Sequence, residues 1–236
     1  MKSPAASTAA STENMLEAKK SFWFEKLFAV YNRNLLKRRF QSFQVSGIEI
    51  LQAEKPQIIY ANHSSWWDGL IAFEISRLTK ADGFVMMEEK HLKKLFLFQR
   101  LGAFSVVREN PRQAIQSINY AAALLKDSPP RTVWIFPQGE ILPNDARPLH
   151  FFRGLARIVE KIGGCRMVPC AMRYEFLGDF KPEIFVKIGA VERFDKSVRF
   201  DSKELTANFE NKMSETLDAL KRDVIFENTA GYQKIF

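Results

Sequence analysis

From Gln57 onward the chain alternates short apolar runs with longer amphipathic stretches. Short continuous apolar runs predict buried strands. They fall at Gln57–Ala61 (QIIYA), Gly83–Met87 (GFVMM), Ala103–Val107 (AFSVV), Thr132–Phe136 (TVWIF), Arg166–Tyr174 (RMVPCAMRY) and Glu183–Val191 (EIFVKIGAV). Helices are expected at Trp66–Leu78, near Glu89–Arg100, and at Pro111–Asp127, Arg153–Ile162 and about Ser202–Lys221. Pro111 suits a first helical turn, and Gly163 with Gly164 suits a helix end. Apolar strands alternating with helices imply an α/β class: a mixed, largely parallel sheet flanked by helices. In such sheets ligands bind beyond the carboxyl ends of the strands. The loops after Ala61, Val107 and Phe136 are therefore the candidate site loops.

The N-terminal part has a different pattern. Residues 1–14 are small and polar with no apolar segment, which predicts a disordered tail rather than a secretory signal. Residues 15–45 form an amphipathic helical segment ahead of an α/β domain at 46–236. A helix at Phe22–Arg39 gathers Trp23, Phe24, Leu27, Phe28, Val30, Tyr31 and Leu35 on one face. Glu25, Lys26, Arg33, Lys37 and Arg39 occupy the other, while Phe22, Leu36 and Arg38 break the pattern. Two readings fit: a helix lying in a membrane interface, or one docked on its own core.

Charge favours the membrane. Lys+Arg number 35 against Asp+Glu 27, a net charge of +8. Met15–Phe40 holds seven basic residues against two acidic ones, more than half of that net. Anionic headgroups contribute about 1 kcal/mol per nearby basic residue. Nucleic acid is the weaker partner, because the charge sits on an amphipathic helix and no recognition motif accompanies it. No window reaches the roughly 20 apolar residues that span a bilayer. Cys165 and Cys170 read as small buried apolar residues in a reducing compartment. With three scattered histidines, no metal site is expected.

The stretch YANHSSWWDGL (Tyr60–Leu70) carries the candidate chemistry. His63 lies just past a strand. Five residues along one continuous helix would point His63 and Asp68 apart, so the chain must turn first. Ser64 or Ser65 can cap a helix starting near Trp66, with Asp68 in its first turn. Asp68 then reaches one imidazole nitrogen and leaves the other facing the cleft, which makes a general base. The alternative is a capping cluster around a structural histidine.

Four blocks in order, NHSSWWD, GAFSVVR (Gly102–Arg108), FPQGE (Phe136–Glu140) and VPCAM (Val168–Met172), resemble those of the glycerolipid acyltransferase family, the lysophosphatidate acyltransferase-like enzymes. LHFFRG (Leu149–Gly154) is similar to the family's Phe-x-x-Gly stretch. The resemblance implies transfer of a fatty acyl group from a thioester, acyl-CoA or acyl carrier protein, to the hydroxyl of a lysolipid acceptor such as 1-acylglycerol-3-phosphate. No cofactor beyond the thioester co-substrate is implied. By the same resemblance His63 is the base and Asp68 orients it. Arg108 holds the acceptor phosphate. Phe136, Pro137, Gln138, Gly139, Glu140 and Arg153 line the acceptor site, and Pro169 shapes the wall near the thioester. The expected place is the cytoplasmic face of a membrane, peripheral or monotopic, in contact with the bilayer. Trp66 and Trp67 would flank the entry of the acyl chain. Where the family reads Phe-Pro-Glu-Gly-Thr-Arg, this chain has Gln138, Glu140 and Ile141. That leaves open an acceptor without phosphate, or an inactive membrane-binding protein of the same fold.

Overall fold

The computed structural model describes residues 15–126, 129–194 and 201–236. The expected tail at 1–14 lies outside the described residues, as does Asp127 at the end of one expected helix. Helix α1 (Phe22–Arg39) leads into strand β1 (Phe43–Ser46). Then follow β2 (Gln57–Ala61), α2 (Asp68–Leu78), β3 (Asp82–Glu88), α3 (Glu89–Lys94), β4 (Ala103–Val106), α4 (Pro111–Lys126) and β5 (Arg131–Ile135). The rest is α5 (Gly154–Ile162), β6 (Cys165–Glu175), β7 (Glu183–Ile188), β8 (Glu192–Phe194), α6 (Ser202–Ile225) and β9 (Gln233–Lys234).

The strands form one mixed sheet in the order β4-β3-β5-β2-β6-β7-β1-β9, with β8 also paired to β6. β4, β3, β5, β2 and β6 are mutually parallel. β7 and β8 run antiparallel to β6, and β9 antiparallel to β1. The side chains of β2 show why its run is wholly apolar. Ile58 and Tyr60 enter a core built with α4, α5 and α6. Ile59 and Ala61 enter the opposite core, with α1 and α2. A strand covered on both faces has no solvent side to alternate with.

Several boundaries differ from the sequence reading. β1, β8 and β9 were not expected. β1 is half polar, and pairing with β7 and β9 is what makes it a strand. The segment 15–45 is continuous with the sheet, since β1 crosses the expected boundary at 45. The helix expected near Glu89–Arg100 breaks at Leu95 into α3 and a 3-10 turn, Phe96–Leu101. β7 ends at Ile188, ahead of Gly189, where an added Cβ would sit 2.7 Å from Thr216 and 2.8 Å from Pro169.

Helix α1 is docked on the protein's own core along one side and exposed along another. It lies over α2, where Asn32 Nδ2 donates to the Leu70 carbonyl at 3.2 Å and Phe28 meets Phe73 edge-on at 5.2 Å. Asn32 and Leu36 are buried, and Phe24 and Phe28 partly so. Spaced four apart, these residues form a narrow docking stripe. Phe22, Trp23, Leu27, Val30 and Tyr31 stay exposed, Trp23 by 77%. Among the described residues no helix is long and apolar enough to cross a membrane.

Candidate active site

Strand β2 delivers His63 to the carboxyl end of the sheet, and the chain turns there before α2 begins at Asp68. The Nδ1 of His63 lies 2.8 Å from Asp68 Oδ2. The same oxygen accepts the Ser64 and Ser65 N–H groups at 2.7 and 2.9 Å. The expected serine cap is thus inverted: the helix starts at Asp68, whose carboxylate gathers the loop amides. Ser65 Oγ still accepts from the Trp67 N–H, at 3.3 Å. Asp68 Oδ1 takes a fourth donor, the Tyr174 hydroxyl, at 2.6 Å. The fully buried carboxylate thus meets three donors on Oδ2 and one on Oδ1. Burial, then the charge of Asp68 and its hydrogen bond, push the Tyr174 phenol well above its ordinary range. Tyr174 therefore stays a donor throughout the accessible pH range.

The loop after β5 locks the other side of His63. Gln138 Oε1 accepts the His63 N–H at 2.7 Å, and Leu142 donates its N–H to the His63 carbonyl at 2.9 Å. The Phe136 ring lies 4.8 Å from the imidazole. Gln138 is 3% exposed and does not line the cavity. It departs from its expected place among the substrate contacts and holds the backbone of the base instead. Either a glutamine or a glutamate oxygen can accept that bond, so the change from the family's residue keeps the contact without a buried charge.

Arg108 follows β4 at the same sheet end. Its guanidinium lies over the Phe152 ring at 4.9 Å and donates to Glu88 Oε1 at 3.3 Å. Burial raises the Glu88 carboxyl, but hydrogen bonds from Lys90 and Arg108 outweigh it and hold the group below its ordinary range. Gly139 has φ +71°, and a Cβ there would collide with the Arg108 guanidinium. The positive φ favours glycine there, and a side chain would also have to displace the arginine.

These groups border a cavity of about 1340 Å³. His63, Trp66, Arg108, Phe136, Pro137, Gly139, Glu140 and Arg153 line it. From them it runs between α2 and β3, past Phe73, Phe84 and Met86, as far as Lys80 and Gly83. Phe28 of α1 closes one side. Its walls are mostly apolar, with His63 and Arg108 at one end and Arg77 and Lys80 at the other. Trp66 is on the rim, whereas Trp67 packs edge-on against Phe40 at 5.1 Å, away from the cavity. Pro169 does not line it either: its place is in β6 beside Gly189, where it donates shape to the sheet and not to the wall expected of it. Tyr174 and Glu88 were missed in the sequence, because no local pattern ties either to the groups it touches.

Residues 42–173 match the family model described as Acyltransferase. No curated protein matches the chain. Among solved structures the chain is similar to the 1-acyl-sn-glycerophosphate acyltransferase PlsC from Thermotoga maritima, with a TM-score of 0.60 and 20% identity. The match covers 84% of this chain and 80% of that one. At such identity the likeness establishes a shared fold.

Proposed function

The chain belongs to the acyltransferase family, and from that premise we propose an enzyme that moves a fatty acyl group from a thioester to the hydroxyl of a lysophospholipid at a membrane surface. One observation carries the proposal. His63 is fixed through Nδ1 by a buried carboxylate, and its ring borders a large, mainly apolar cavity. Asp68 at Nδ1 selects the tautomer with its proton on that nitrogen, leaving Nε2 as acceptor. Nε2 takes the proton of the acceptor hydroxyl as the oxygen attacks the thioester carbonyl. The new C–O bond forms, the C–S bond breaks, and the imidazolium returns its proton to the departing thiolate. Asp68 steadies the imidazolium meanwhile. The thioester is already activated, so no acyl-enzyme is required, and Ser64 and Ser65 serve the turn.

Arg108 is the group for an acceptor phosphate, with a planar fork suited to it. The acyl chain occupies the apolar run of the cavity past Phe73, Phe84 and Met86. The donor is acyl-CoA or acyl carrier protein, whose acidic parts suit the basic surface. The exposed stripe of α1, with Lys26 and the basic last turn, rests in the membrane interface.

A second reading keeps the chemistry and changes the acceptor. Arg108 is already paired with Glu88, and Ile141 stands where the family has a further cation. Both favour a lipid alcohol lacking phosphate. The test supplies acyl-CoA or acyl carrier protein with a panel of lysolipids and neutral lipid alcohols, and detects product by mass spectrometry. His63→Ala is expected to abolish turnover and leave the fold intact; turnover equal to wild type defeats the base assignment. Arg108→Ala is expected to raise KM for phosphorylated acceptors, and an unchanged KM selects the neutral acceptor.

A further inference from the structure

Strand β6 is longer than its parallel neighbour. Ala61, the last residue of β2, pairs with Cys170, and β6 continues to Glu175. Five further residues at about 3.3 Å each carry it roughly 16 Å past the end of β2. β7 returns antiparallel alongside, from Glu183. The two strands make an arm that rises beside the catalytic loop, with Tyr174 on its inner side. Asn62 braces its base through two hydrogen bonds to the Met172 backbone, at 3.0 and 2.8 Å.

The tip, residues 176–182, has the turn residues Gly178, Asp179 and Pro182 but also apolar side chains that a turn does not need. Phe176 and Leu177 are exposed, and Phe180 is 100% exposed. No described residue covers them. Beside the tip lies the end of α1: the Gln41 N–H donates to the Pro182 carbonyl at 2.9 Å. Lys37, Arg38 and Arg39, all exposed, lie two to four residues before Gln41 in the chain, and exposed Lys181 directly precedes Pro182. Against these stand Asp179 and Glu183, and Glu183 is engaged by Ser42 and Gln44.

We propose that this tip is a second membrane anchor, its three apolar side chains entering an anionic bilayer beside the basic end of α1. The inference rests on the lipid-acyltransferase reading for its partner and deepens it. The shape argues for lipid. Convex, separated apolar side chains on a projecting tip need a deformable apolar medium, whereas a folded partner must supply a matching pocket. The charge argues for an anionic surface, since basic groups near it are attracted within a Debye length. Two anchors joined at Gln41–Pro182 hold the catalytic end of the sheet against the source of its substrate.

The test places a probe at the tip of the full chain. Phe180→Cys is labelled with an environment-sensitive fluorophore. Cys165 and Cys170 are buried, and burial pushes the Cys165 thiol up to about 12, so the label goes to position 180. Vesicles of phosphatidylcholine with phosphatidylglycerol are expected to blue-shift the label, and brominated acyl chains to quench it. The triple variant Phe176→Ser, Leu177→Ser, Phe180→Ser is expected to partition at least roughly tenfold less onto those vesicles. Its melting temperature and its turnover of detergent-dispersed acceptor are expected to stay unchanged. A label that remains in water while the protein floats with vesicles overturns the proposal. So does equal partitioning of the triple variant, or a label that responds to an acidic carrier protein and not to lipid. No readout at the label needs turnover. An inactive protein with an inserted tip defeats the enzymatic reading alone, and an active one with a wet tip defeats this inference alone.

Discussion

Asp68 receives four donors on two oxygens; His63 and the Ser64 and Ser65 amides lie within five residues of it in the chain, and the fourth does not. The spacing of His63 and Asp68, with a forced turn between, was readable because five residues cannot bring them together on a straight helix. Tyr174 lies 106 residues away from Asp68 and reaches it only because β6 overruns β2. Tyr174→Phe tests its role as a positioning residue. Losing a hydrogen bond to a charged group removes about 1.5–3 kcal/mol, and kcat is expected to fall roughly tenfold with KM unchanged. A tyrosine that only fills space predicts no such fall in kcat at constant KM. Gln138 makes a parallel case. Gln138→Leu leaves the partly buried His63 N–H without its acceptor, at a cost of about 1–3 kcal/mol, and is expected to lower both melting temperature and kcat.

At the scale of elements, α1 separates what periodicity can and cannot decide. Periodicity located the helix and its broad apolar face, and β2, α2 and β5 were placed close to where they occur. It could not tell which part of that face the protein would cover. Contact with α2 selects Phe28, Asn32 and Leu36 and leaves Trp23 and Leu27 outside. The two halves therefore respond differently. Leu36→Ala is expected to cost about 2–5 kcal/mol, seen as a lower melting temperature. Trp23→Ser with Leu27→Ser is expected to leave the melting temperature in place and weaken vesicle binding; a matching loss of stability defeats the interfacial role. β1 and β9 were illegible for the converse reason. Their residues are strand only where a neighbour offers a free edge.

Over the whole molecule, the far side of the sheet is tied together through Asp223 of α6. It accepts from Lys187 Nζ of β7 and from the Tyr232 hydroxyl, each at 2.8 Å. Burial raises its carboxyl, but these bonds outweigh that and hold it below the ordinary value. A carboxyl depressed on folding stabilises above its unfolded value, and that contribution fades as pH falls through the folded one. Asp223→Asn is expected to lose stability near neutral pH and little at strongly acid pH, as followed by urea unfolding across the range. An equal loss at both ends rules out the charge. The sequence by itself determined the alternation of strands and helices, the loops at which a site can form, and the His63–Asp68 pair. Each depends on neighbours within a few residues or on a period that folding preserves. Only the tertiary structure decided that Tyr174 completes the carboxylate, that Gln138 serves the base, that Pro169 stands apart from the cavity, and that Glu88 meets Arg108. Those contacts join strands distant in the chain, and sheet order and strand overhang bring them together.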